Sequence, residues 1–185
     1  KLYKYLISWI NKKIHDELTN LIELKNLDNQ NPNIRALAYR IYESNGVVKR
    51  EEIKNFIAKL EQNDRKILRS KGVKFGRYHI FLFKLFKPKA VSLRTLLWKN
   101  FNQKYLELEP PQFGLNFINK EEKLNREFML ICGFEKFDSF YLRIDILERL
   151  FLMIIDKNKN NIKEIKLVPE MLNLLGCNKE NFLKL

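Results

Sequence analysis

"GVKFGRYHIFLFKLFKPKAVSLRTLLW" (residues 72–98) can be folded in two ways. Two glycines bracket its first five residues, which read as a tight loop or a very short strand. The next nine, "YHIFLFKLF" (78–86), satisfy two templates. An aromatic-rich apolar run this short fits a buried strand, and it equally fits a buried helix that ends before Pro88. The helix is the reading taken here. Pro88 then starts a firmer helix to about Asn102, because a proline at the first helical position has no N–H to leave unpaired. The expectation is a mainly α chain, a helical bundle with a short β element.

Working outward, residues 1–26 place Tyr3, Leu6, Ile7, Ile10, Ile14, Leu18 and Leu21 at helical spacing. "DNQNP" (28–32) reads as a turn. Pro32 opens a second helix with Ile34, Leu37, Ala38, Ile41 and Tyr42 on one face, and Gly46 stops it. A third helix begins near "REEI" and runs to about Leu60, with a further turn or two through "DRKILRS". Beyond the Pro88 helix, "LELEPPQFG" (106–114) breaks the pattern. Residues 121–131 then read as helix, "SFYLRI" (139–144) as a short strand, and "DILERLFLMIID" as a deeply buried helix. "KNKNN" (157–161) is a loop, Pro169 opens a helix that Gly176 closes, and Asn178 caps the next. The expected organisation is a helical domain over 1–105, a connector over 106–120, and a small helical subdomain over 121–185 packed on the first. The tail is either winged-helix-like or two plain packing helices.

Forty residues, Arg65 to Lys104, contain twelve Lys or Arg and no Asp or Glu, in a chain whose formal net charge is +13. A Lys- and Asn-rich composition, as in an AT-rich genome, raises Lys everywhere but does not empty one window of acids. The balance points to a polyanionic partner. Within the window, Lys71, Lys74, Arg77, Lys84, Lys87 and Lys89 alternate with Phe75, Tyr78, His79, Phe81, Phe83 and Phe86. Cations for phosphates and flat rings for bases are what a single strand requires. Phe81, Leu82 and Leu85 belong to the core on this reading. Phe75, Arg77 and Tyr78, beside two glycines, can approach a ligand closely. Arg94 falls in the apolar face formed by Ala90, Val91, Leu97, Trp98, Phe101 and Tyr105, so it must pair internally or reach a ligand. The candidate contacts are Lys71, Lys74, Phe75, Arg77, Tyr78, Lys84, Lys87, Lys89 and Arg94.

Several chemistries have no sequence support. No G-x-x-x-x-G-K-[ST] phosphate loop is present, and "GVKFGR" is too short to be one. His15 and His79 stand alone, without zinc-ligand spacing. Asp145 and Glu148, one helical turn apart, fit a helix cap with an Asp145–Arg149 pair better than an acid–base couple. No nucleophile constellation appears, so the chain reads as non-catalytic alone. Cys132 and Cys177 lack CxxC spacing, and the longest apolar runs are too short to span a bilayer. A reduced, cytoplasmic setting without membrane association follows. Starting at Lys1 and ending at "NFLKL", the chain reads as a piece of a longer protein.

"RALAYRIYESNGVVKR" (35–50), "LRSKGVKFGRYHIFLFKLFKPKAVSLRTLLW" (68–98), "YLRIDILERL" (141–150) and "VPEMLNLLGCNKENF" (168–182) follow one another in an order that resembles a known family. They are similar to the C-terminal region of alphaproteobacterial ATP-dependent RNA helicases of the DExH type, in the second helicase superfamily, related to the mitochondrial RNA-degradation helicase. The motifs G-V-x-F-G-R, K-P before a helix ending L-L-W, and R-I-D-x-L-E-R-L carry the resemblance, which covers nearly the whole chain. It implies an accessory part downstream of two RecA-like motor domains. ATP and Mg would bind in those absent domains and no cofactor in this chain. The implied partners are single-stranded RNA (or DNA), the motor domains of the same polypeptide, and a nuclease. The G-V-x-F-G-R match falls on Gly72, Val73, Phe75, Gly76 and Arg77. The competing reading is a protein-interaction module that docks the motor domains or a nuclease.

Overall fold

A computed structural model describes residues 1–28, 31–119, 124–137, 140–157, 169–176 and 178–183. The chain is mainly α with short β elements, and it divides into two compact units, Lys1–Leu108 and Glu109–Leu185. The turn expected over 28–32, the loop over 157–161 and the start of the 121–131 helix lie wholly or partly outside the described residues.

Unit 1 opens with α1 (Leu2–Glu17), α2 (Thr19–Lys25) and α3 (Pro32–Glu43). The expected 1–26 helix is thus broken at Leu18, where the backbone leaves helical geometry. In α3 the apolar face is as the periodicity predicts, with Ile34, Leu37, Ala38 and Ile41 buried. The Asn31 side chain caps it by accepting from Asn33 N–H, worth about 1 kcal/mol. Asn31 Nδ2 also donates to Asp64 Oδ2 (3.1 Å), which accepts from Glu61 N–H as well (3.0 Å). One carboxylate therefore joins the starts of α3 and α5 (Gln62–Ser70). Between them lie β1 (Val47–Lys49), a 3₁₀ turn (Glu51–Ile53) and α4 (Lys54–Ala58).

The ambiguous run resolves against the helix reading. β2 (Val73–Phe75) and β3 (His79–Leu82) form an antiparallel hairpin, and a 3₁₀ turn (Phe83–Phe86) follows before α6 (Pro88–Phe101). The sheet order is β1-β3-β2, with Val48 and Phe75 both opposite Ile80. Every residue of β3 is buried, so the strand has no polar face to announce its period of two. Val48, Val73, Ile80 and Leu82 pack into a core with Leu24, Leu37, Ile41, Ile53, Leu68 and Leu85.

Unit 2 pairs β4 (Phe117–Asn119) and β5 (Phe134–Phe137) with the central β6 (Phe140–Arg143), both antiparallel. α7 (Arg126–Ile131) precedes β5, and α8 (Ile144–Lys157), α9 (Pro169–Leu175) and α10 (Lys179–Leu183) follow β6. Its core joins Leu142, Ile146, Leu147 and Leu150 to Met171 and Leu175. α8 is less enclosed than its composition suggests, since Leu152 and Ile155 are exposed. Asp145 pairs with Arg143, through Nε–Oδ1 at 2.7 Å and Nη2–Oδ2 at 3.1 Å, rather than with the expected Arg149. Two parallel bonds from one planar guanidinium exceed what a flexible i,i+4 contact provides.

Candidate nucleic-acid interface

Charge is divided unequally between the units. Unit 1 holds 23 Lys and Arg against 10 Asp and Glu, whereas unit 2 holds 12 of each. The whole formal excess of +13 thus belongs to unit 1. A field so one-sided attracts polyanions and steers their approach.

A concavity lined by cations is built by hydrogen bonds around the β2–β3 turn. Arg50 follows β1, and its N–H donates to Tyr78 O (2.8 Å) while its Nη1 donates to Gly76 O (2.7 Å). Gly76 N–H donates to His79 O (2.9 Å) and closes the β2–β3 turn. One arginine thereby clamps the hairpin turn onto the corner between β1 and α4. Beside this clamp lies a cleft of about 540 Å³. Arg50, Lys54, Arg65 and Arg77 line it, with Tyr78 and the apolar Ile57 and Ala58. Among the described residues its one carboxylate, Glu51, already faces Lys54 at 3.5 Å. Arg65 is anchored by Nη2 donating to Ile57 O (3.3 Å), and its enclosed Nε makes no hydrogen bond among the described residues. Removing the clamp should loosen the turn. Arg50→Ala is expected to cost about 1.5–3 kcal/mol locally. Hydrogen exchange should quicken at Gly76 while Leu82, bonded to Gly46 O, stays protected.

No family model, curated protein or solved structure matches this chain. The chemistry of the cleft therefore rests on its own residues.

Of the nine candidate contacts, the cleft collects Arg77 and Tyr78. Lys74, Lys84, Lys87 and Lys89 are exposed outside it, Lys74 sharing a sheet face with Phe81. Lys71 faces Glu23 at 3.5 Å, and Phe75 packs on the core with Arg69 over its ring at 5.6 Å. Arg94 is only 3% exposed. Its Nη1 donates to Asn45 O (2.8 Å) and its Nη2 to Leu85 O (2.6 Å). Of the two roles open to it, internal pairing is the one the fold uses. The face expected around Arg94 is also smaller than the spacing predicts. Leu97 and Phe101 are exposed, and Tyr105 sits in a separate 3₁₀ turn (Gln103–Tyr105), stacked on Trp98 at 5.2 Å.

Sequence reading missed Arg50 and Lys54. Both lie in "KREEIK" (49–54), where Glu51 and Glu52 offset their two charges along the sequence. Among the described residues, no group of three or more His, Cys, Asp or Glu is placed to hold a metal. None of the described helices is long and apolar enough to cross a membrane.

Proposed function

We propose that this chain is a non-catalytic nucleic-acid-binding accessory part of an ATP-dependent RNA helicase, and that unit 1 holds the single strand. The helicase assignment rests on the sequence resemblance. The observation that carries strand binding is the confinement of all thirteen excess positive charges to one unit, with exposed Tyr78 and Phe83 among exposed lysines. Neutralising phosphates releases counterions, so affinity for a short single-stranded RNA falls with salt. The log–log slope is about −0.7 per phosphate. If four phosphates are engaged, raising salt from about 50 to 200 mM weakens binding roughly fifty-fold. Lys74/Lys87/Lys89→Ala, all exposed, should flatten the slope without changing the melting of the chain. A flat salt dependence in the parent chain would remove this reading.

A second reading has its own observation. α1 buries none of its residues, and Leu2, Tyr3, Tyr5, Leu6, Ile7, Trp9 and Ile10 are all exposed on it. A contiguous apolar helix surface of this kind marks protein interaction sites. It favours α1 as the place where motor domains or a nuclease would dock. The two readings use different surfaces and are compatible.

A further inference from the structure

The cleft beside the hairpin turn has features that a merely solvated basic surface lacks. It is concave, with a volume in the range of small-ligand sites. Among the described residues, four of its lining side chains are cationic, and its one carboxylate, Glu51, faces Lys54. Three of those cations are guanidinium groups, whose planar forks suit phosphate oxygens. Two are held in place before any ligand arrives, Arg50 by Gly76 O and Arg65 by Ile57 O. Ile57, buried beneath the cleft, adds an apolar side chain beside these cations. Tyr78, 47% exposed, stands at the same cleft.

We infer that this cleft takes one nucleotide of a single strand, with its phosphate among Arg50, Lys54 and Arg77 and its base on the Tyr78 ring. The inference rests on the proposed strand-binding function and places its most specific contact. A duplex would keep its bases stacked inside and offer Tyr78 none, so the site selects single strands. The exposed lysines elsewhere on unit 1 would each meet a separate phosphate. Lys54 and Arg77 share one. That difference gives the site a signature in the salt dependence.

The test uses the whole chain, a labelled eight-nucleotide oligouridylate, and anisotropy titrations across salt. Lys54→Ala/Arg77→Ala removes two exposed cations and should lower affinity tenfold or more. It should reduce the salt slope by at most about 0.7, one phosphate, because Arg50 remains beside that phosphate, and not by about 1.4. Tyr78→Leu should weaken binding roughly five- to 150-fold while Tyr78→Phe retains it, because stacking needs the ring and not the hydroxyl. A slope reduced by about 1.4 would overturn the shared phosphate. Equal effects of Tyr78→Leu and Tyr78→Phe would overturn the stacked base. Free uridine monophosphate that competes as well as the oligomer would make the cleft a site for free nucleotides. If the parent chain binds and none of these variants changes it, the cleft assignment fails and strand binding stands. If the parent chain does not bind at any salt, both fail.

Discussion

Arg94→Ala is expected to lower stability by about 3–5 kcal/mol, the sum of two orphaned carbonyls and a cavity. The side chain lies at 3% exposure, reaching from α6 to two other segments. It donates to Asn45 O, in the turn after α3, and to Leu85 O, in the 3₁₀ turn before α6. Both acceptors would lose a charge-assisted donor in a place that water enters poorly. Arg94→Met fills most of the volume without donating, so it isolates the bonds and should still cost about 2–3 kcal/mol. Arg94→Lys keeps the charge but has no fork to span two carbonyls and should fall between the two. Urea unfolding monitored by circular dichroism measures all three. A loss below about 1 kcal/mol in Arg94→Ala would mean that the guanidinium does not brace these turns.

The same residue shows how far the sequence could be read. Helical spacing placed an arginine in an apolar stretch and left two roles for it, internal partner or ligand contact. Its acceptors lie 49 and 9 residues away, and they are backbone oxygens, which have no sequence signature. α3 was legible because its apolar face repeats for three turns and its ends carry Asn31–Pro32 and Gly46. β1 was not, because three residues hold too little alternation to distinguish a strand, and its pairing with β3 supplies the rest. β3 misled for a related reason: buried on both faces, it has no alternation of apolar and polar residues to mark its period. Periodicity in α1 likewise gave a face without saying what covers it, and Tyr3, Leu6, Ile7 and Ile10 are exposed. For the cleft, the charge window reached Arg65, Arg77 and Tyr78. Arg50 and Lys54 join them through the bonds of Arg50 to the hairpin turn, a tertiary event.

Gly46→Ala should cost about 2–5 kcal/mol, although it adds a single methyl group. Gly46 has φ +82°, the left-handed region, where a Cβ crowds the backbone at about 1–2 kcal/mol. Its N–H donates to Ile41 O (2.8 Å) and its O accepts from Leu82 N–H (3.0 Å), so the turn cannot rotate away without losing both bonds. A Cβ there would also collide with Leu85 Cδ1 and press on Leu82 Cδ1 at 3.4 Å. Both leucines are fully enclosed, and overpacking at such sites costs about 1–3 kcal/mol. Gly114→Ala provides the comparison: its φ is +95°, but nothing lies within 4 Å of the added Cβ, so only the backbone cost of about 1–2 kcal/mol should appear. Gly46 and Arg94 act on one joint, because Arg94 holds Asn45 O and Leu85 O while Gly46 sits between Asn45 and the Leu85 side chain. Once the Gly46 methyl group has displaced Leu85, the Arg94 bond to Leu85 O is already weakened. The double variant should therefore lose less than the two single losses combined, by about 0.5–3 kcal/mol. Losses that add to within about 0.3–0.5 kcal/mol would show that the two residues act independently, and that the α3 turn and the start of α6 are braced separately.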